Sequence, residues 1–491
     1  MCTDADKTTV WDQLSQRDWK AWQRFLHPGV FAEAAAWAGV PQGKGPLHLA
    51  NLVVFALAAA WFRSKSFAEV LVLVLKLLRD ASDWPNSALA QRQRRGRKRA
   101  QRQHRHKHDP RGHDPTRLSE EAFVQARRKM PGSFWVGVLL ILTRDFQAAH
   151  GQRVRWKQFR LLALDGTTIA LPHWRRLAAS FGTAKNGRGR RTQARMVMLQ
   201  FPLVRVPFRY ELTPCTEDER RVGQRLLQGL ETNDLVLLDR GFWSYGLFWQ
   251  MQHQQAFFAT RQKAGVRWHT RRRLGRGDRI VRHSPKDWRK QWKQQGLPES
   301  IDLRVIDYQI RGFRKTAVVT NVLDPQAITA AEWVQMATVN EAGRVLEPGL
   351  YHRRWEIETS FRELKVTQGM EGGLRSRSPE GIHYEVAGHV LLYLLTRWLI
   401  VEAADKAGID DPLRLSFKAA LEELADMRET LVHADLDHVR HVLLPRLLER
   451  IASHRVPLRP GRHYPRPRDT QPKAKGNERY QKPSKLKRKV T

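Results

Sequence analysis

A mixed α/β fold behind a helical N-terminal region is what this sequence predicts. Three observations carry it. Residues 1–150 show helical periodicity and capping signals; from about residue 155 short β-rich runs take over; and the chain, at 491 residues, is long enough for about three domains.

In the N-terminal part, Pro46 precedes an apolar run to Phe62, and Ser66 to Glu69 forms a capping box that opens a helix over Ala68 to Leu78. After a basic stretch, Ser119 caps a segment with Glu120 and Glu121 in its first turn, which ends near Pro131-Gly132. Ser133 then starts another apolar helix toward Gly151. Phe159 to Gly166, Ala194 to Phe201 and Pro207 to Thr213 read as three successive strands. Glu217 to Leu230 reads as a helix, and Asp234 to Asp239 as a buried strand followed by Arg240-Gly241. That order of strands and helix is what predicts the mixed sheet. Ser244 to Gln252 continues as a helix and Ala256 to Thr260 as a fifth strand. Basic, hairpin-like pieces then break the rhythm over 262–324, and helices resume after Thr329 to about residue 452.

Charge narrows the partners. Lys plus Arg number 86 against 49 Asp plus Glu, a formal net charge of +37. Three segments, 91–117, 261–293 and 455–491, carry +9, +11 and +11 of it. Such a chain seeks polyanions. With 41% hydrophobic and 27% charged residues, most of it folds and is not a histone-like arm. The tail 455–491 has six prolines and few aliphatics, so it reads as a disordered phosphate-seeking arm. His104, His106, His108 and His113 alternate within 91–117, but the surrounding arginines would repel a metal cation, so this stretch reads as a polyanion-binding loop. Cys2 and Cys215 can build neither a disulfide framework nor a four-thiolate zinc site. The N-terminus lacks a basic, apolar leader, and the apolar stretches Leu52 to Phe62 and Phe134 to Leu142 fall short of the ~18 residues that span a bilayer. A soluble, intracellular protein with no membrane partner is expected.

Asp165 and Asp239 each end an apolar β run and each precede Gly within two residues. Open α/β sheets bind ligands at such strand ends, where glycine permits close approach. Taken singly, either aspartate could equally start a turn. A third feature is the segment Tyr351 to Lys365. On a helix, Tyr351, Arg354, Glu358 and Lys365 fall within one stripe about 60° wide, beside an apolar strip of Ile357, Phe361 and Leu364. That suits a carboxylate flanked by phosphate-binding cations, and a surface helix with internal ion pairs explains the geometry equally well.

Together these residues resemble a known family. Tyr-x2-Arg-x3-Glu-x6-Lys, met by Tyr351, Arg354, Glu358 and Lys365, is similar to the motif of the Tyr-Arg-Glu-Lys class of bacterial insertion-sequence DDE transposases, the insertion-sequence-four-like family. Leu164 to Thr168 resembles the family's first-aspartate block and Asp234 to Phe242 its second, while Gly373 to Gly381 resembles the family's stretch after the glutamate. The likeness covers about residues 45–400.

The resemblance implies a ribonuclease-H-like, retroviral-integrase-like core over 155–400, with a β-rich insertion at about 262–324 filling the long gap between Asp239 and Glu358. A helical DNA-end-binding domain over 1–150, with its basic loop 91–117, would precede it. Helices over 401–454 and the tail 455–491 would come after it. The implied chemistry is cleavage of element ends and their transfer to target DNA, with two Mg²⁺ ions (or Mn²⁺) held by Asp165, Asp239 and Glu358. Tyr351, Arg354, Lys365 and Arg240 would bind DNA, and two protomers would act together on paired ends. In relatives that cut through a DNA hairpin, a tryptophan ahead of an insertion strand can hold a flipped base; Thr316 takes that place here, so the role is not carried over. A non-catalytic DNA-binding descendant of a transposase is the alternative, with a basic RNA-binding protein behind it on composition alone.

Overall fold

A computed structural model describes residues 28–41, 49–80, 120–186, 189–309, 315–334, 349–427 and 438–457. The basic stretch 91–117, the Ser119 cap and residues 458–491 of the tail lie outside the described residues.

The N-terminal part contributes helices α1 (Pro28–Ala38), α2 (Leu49–Trp61), α3 (Phe67–Asp80), α4 (Glu120–Arg128) and α5 (Gly132–His150). The capping box forms as expected: Ser66 N–H donates to Glu69 Oε2 at 2.6 Å, and Glu69 N–H donates to Ser66 Oγ at 3.2 Å. Almost every residue of α2 is buried, so it is a core helix and not an amphipathic one.

The sheet comes next in the chain: β1 (Arg155–Trp156), β2 (Phe159–Ala170), helix α6 (Arg175–Phe181), β3 (Thr183–Asn186), β4 (Gly189–Phe201), β5 (Val206–Pro214), helix α7 (Glu219–Leu226) and β6 (Asp234–Leu238). Helix α8 (Tyr245–His253), β7 (Phe257–Arg261), β8 (His269–Gly275), β9 (Asp278–His283), β10 (Ile301–Tyr308), β11 (Thr316–Thr320) and helix α9 (Ala330–Val334) complete it. The strands form one eleven-stranded sheet in the order β3-β4-β2-β6-β7-β11-β10-β9-β8, with β5 on β4 and β1 on β2. β2, β6 and β7 are mutually parallel, and every other pairing is antiparallel. The all-apolar runs of β2 and β6 account for that: Leu161 to Leu164 and Leu235 to Leu238 are fully buried, as strands covered on both faces require. The basic 262–324 stretch does not stand apart from the sheet, because β11 pairs with β7 and carries β10, β9 and β8 outward as its continuation.

The chain closes with a 3-10 turn (Leu350–Arg354), α10 (Trp355–Arg362), a π turn (Glu363–Thr367), α11 (Pro379–Lys406), α12 (Phe417–Asp426) and α13 (Leu444–Ser453). A longer apolar run than Leu52 to Phe62 or Phe134 to Leu142 lies in α11, which is long and apolar enough by length and composition to cross a membrane. Its most apolar 18-residue window is wholly buried, so within this fold it is the central core helix. α11 touches α2 so closely that a Cβ on Gly388 would stand 2.8 Å from the carbonyl carbon of Ala56, and the Tyr384 hydroxyl donates to Leu52 O.

α11 also buries His389, whose backbone carbonyl accepts from Gln368 Nε2 at 2.8 Å. Burial, and then the charges of Arg375 and Arg63, push His389 down to about 3. Burial beneath Trp243, Trp268 and Tyr245 pushes His283 down to about 4. Both are neutral in the fold. Below the ordinary histidine value near 6.5 the unfolded chain takes up protons that the folded chain refuses, so stability falls with acidification. The expected loss is about 1 kcal/mol from each histidine between pH 6.5 and 5.5. Urea midpoints across that window check it, and His389→Asn should flatten the slope; a pH-independent midpoint contradicts it.

Candidate active site

Two leucines set the site. In the parallel β2–β6 ladder Leu164 pairs with Leu238, so the next residues, Asp165 and Asp239, emerge side by side where the shared ladder stops. β2 itself does not end there. It runs on to Ala170, paired with β4, which corrects the expectation that Asp165 terminates its strand. Asp165 Oδ1 accepts from Gly166 N–H at 2.9 Å, and Asp239 Oδ2 caps the turn that begins at Arg240, accepting from Gly241 N–H at 3.4 Å.

The Tyr351 to Lys365 segment is helical but not one α-helix: 3-10, α and π geometries succeed each other. Its apolar strip is buried as expected, with Ile357, Phe361 and Leu364 at 0%, 6% and 1% exposure. Its polar row meets the strand tips. The Tyr351 hydroxyl donates to Leu238 O at 3.0 Å, fixing the entry of the segment beside Asp239. The Arg354 side chain is buried between two carboxylates: Nη2 donates to Glu358 Oε1 at 3.0 Å, and Nη1 lies 3.5 Å from Asp165 Oδ2 without a hydrogen bond. Lys365 Nζ donates to Thr168 O at 2.7 Å and pairs with Glu371 at 3.4 Å, stapling the π turn to the far half of β2. Thus Asp165, Asp239, Tyr351, Arg354 and Glu358 share one locality, Lys365 flanks it through β2, and Arg240 stands exposed just past Asp239.

The motif selects among acids. Glu356 and Glu363 point the other way, toward Arg205, with contacts of 2.6 and 2.8 Å. A further acid, Glu219, stands in the site although the sequence placed it only within a helix. It opens α7 over Gly166, where any Cβ would overlap its carboxylate, with Cδ only 2.7 Å away. The one signal for it is the glycine after Asp165.

The electrostatics are those of crowded, desolvated carboxylates. Burial, with Asp239 and Glu219 adding to it against the opposing Gly166 N–H and Arg354, raises the Asp165 carboxyl to about 7. Burial first, then the Asp239 and Asp218 charges, raises Glu219. Among the described residues no three His, Cys, Asp or Glu converge closely enough to hold a metal as the side chains stand, and Arg354 lies between Asp165 and Glu358. The chemistry of the donors still fits a hard divalent cation: all are carboxylate oxygens, and their mutual repulsion is what such an ion relieves.

The mixed sheet sets two aspartates at the end of its parallel β2–β6 ladder and brings the Tyr-x2-Arg-x3-Glu-x6-Lys segment beside them, the arrangement that the resemblance to DDE transposases implies. The chain resembles that family: residues 156–395 match the transposase DDE domain. It is similar to Transposase InsG for insertion sequence element IS4 of Escherichia coli (strain K12), at 26% identity over 370 residues, covering 71% of this chain and 76% of that protein. A cryo-EM structure of the piggyBac transposase synaptic complex with hairpin DNA aligns over 88% of this chain and 84% of that chain, at 10% identity and a TM-score of 0.36, too low to bear on the fold.

Proposed function

We propose that this protein is an active DNA transposase that cuts the ends of its insertion sequence and joins them to target DNA. The carrying observation is the Leu164–Leu238 register, which sets Asp165 beside Asp239, together with Arg354 linking Asp165 to Glu358. The β5-β4-β2-β6-β7 arrangement, an antiparallel meander continued by two parallel strands, supports the ribonuclease-H-like reading of the core.

Asp165, Asp239 and Glu358 would hold two divalent cations, Mg²⁺ or Mn²⁺, which supply an activated oxygen nucleophile and neutralise the leaving oxygen at the scissile phosphate. The chain's own groups do the rest. Arg354 keeps a buried Nη1 free of hydrogen bonds, a donor suited to a phosphate oxygen, and releases Asp165 and Glu358 as it turns to one. Lys365 and the exposed Arg240 add phosphate contacts on either side, and Tyr351 orients the segment through Leu238 O. Water serves as the nucleophile in cleavage and the freed 3′-OH in transfer, both at this one site. Residues 1–150 read the element end, and the basic segments 91–117 and 455–491 add sequence-independent affinity. The work is done in the cytoplasm, on nucleoid DNA.

The direct test is duplex DNA carrying the element's terminal repeat, incubated with protein and Mg²⁺. Nicks at the repeat boundary are expected; tight binding without nicks identifies a non-catalytic descendant instead. Two protomers are expected on paired ends, because one site per chain must serve two ends and the charge of +37 opposes association until DNA cancels it. Leu413 to Met427 and Pro445 to Ile451 offer the protein contact. Sedimentation should give a monomer without end DNA and a dimer with it, and full cleavage by a DNA-bound monomer contradicts this.

A further inference from the structure

We propose that Glu219 is a fourth carboxylate of the catalytic centre, sharing the divalent cation with Asp165 and Asp239; this rests on the transposase reading above.

Three placements carry the assignment. First, Asp218 caps α7, its Oδ1 accepting from Arg220 N–H at 2.8 Å, which fixes Glu219 in the first turn. Second, Gly223 lies one turn further on the same face of the helix. A Cβ on Gly223 would meet Phe242 Cε1 at 2.9 Å and Leu164 Cδ2 at 3.1 Å. Leu164 immediately precedes Asp165, and Phe242 lies three residues past Asp239, so α7 is pressed against both aspartate-bearing segments one turn from Glu219. Third, Gly166 leaves open the space that the Glu219 carboxylate fills.

What singles Glu219 out is its lack of a partner. Nearby acids are paired: Asp218 with Arg220 at 2.9 Å, Glu217 with Arg225 at 2.8 Å and Glu211 with Arg225 at 2.5 Å. Glu219 has no hydrogen bond or ion pair among the described residues, although Arg195 stands close enough to act on its charge. An acid serving only the helix dipole would reach into solvent, and this one lies half-buried over Gly166. The site is short of a partner of the other sign as well. Arg354, 5% exposed, aims the unbonded Nη1 at Asp165. A cation among the acids and a phosphate on the arginine would satisfy both.

The test uses the full chain and reads metal binding apart from activity. Mn²⁺ binding is followed by the EPR signal of the free ion, and end cleavage is followed across an Mn²⁺ series, for wild type, Glu219→Gln and Gly166→Ala. The alanine methyl would displace the tip of a flexible side chain, so Gly166→Ala removes Glu219 from the site with little strain. Each single variant should bind Mn²⁺ at least tenfold more weakly and recover cleavage as Mn²⁺ is raised, and the double variant should lose no more than either single. Wild-type Mn²⁺ affinity in both single variants, with wild-type end cleavage intact, overturns the role of Glu219 alone. A wild-type protein that cuts no end DNA overturns the transposase reading and this assignment together. Should Glu219→Gln fail to fold, Gly166→Ala decides.

Discussion

Alanine at Asp165, Asp239 or Glu358 should lower end cleavage and strand transfer by roughly a thousandfold or more while leaving end binding within a few-fold of wild type. Under the proposed mechanism each removes an oxygen donor for the cations, whereas affinity for DNA would come from many phosphate contacts spread over a strongly basic chain. A misfolded protein would lose both properties, so the contrast itself is informative. Asp165→Ala sharpens it. Its carboxyl, raised by burial to about 7 without a cation, opposes folding increasingly as pH rises from the ordinary carboxylate range to that value. Removing it should therefore leave the thermal midpoint at pH 8 unchanged or higher, with cleavage gone. Any of the three variants nicking end DNA within tenfold of the wild-type rate loses its assignment.

The end of the parallel β2–β6 ladder at Asp165 and Asp239 was legible in sequence because the cause is local, although β2 itself runs on to Ala170. An apolar run long enough for a strand stops at a carboxylate, and the stop marks where the parallel ladder ends. Glu358 was legible through its spacing from Tyr351, Arg354 and Lys365, which separates it from Glu356 and Glu363 although all three are helical acids within eight residues. Three things were not legible. Uniform helical rotation does not describe a segment that passes from 3-10 through α to π geometry. The pairing of β11 with β7, which makes the basic insertion an extension of the central sheet, is a long-range contact that no local pattern encodes. Glu219 reaches Gly166 from another element for the same kind of reason, through the packing of Gly223 on Leu164 and Phe242.

The largest stability effect is expected five residues beyond Glu358. Glu363 is buried, with Oε1 accepting from Arg205 Nη1 at 2.8 Å and Oε2 accepting from the Tyr393 hydroxyl at 2.7 Å and from Arg397. Burial opposes its charge, but Arg397 and Arg205 hold its carboxyl below the ordinary glutamate value. The Arg397 side chain is fully buried, and Glu363 is its carboxylate partner. Glu363→Ala therefore strands a guanidinium in the core of α11, at a cost of about 3–5 kcal/mol. Replacing both charges by apolar residues of similar size, Glu363→Leu with Arg397→Met, should recover most of that loss, because two desolvated ions then leave the core together. Urea unfolding of the two single variants and the double variant measures this directly. Cleavage should fall along with stability in Glu363→Ala, since the π turn that carries Glu363 directly follows the helix that carries Glu358, and it should return in the double variant. A loss under about 1 kcal/mol in Glu363→Ala, or a double variant no more stable than the single ones, would show that the network does not hold the Tyr351 to Lys365 segment in place.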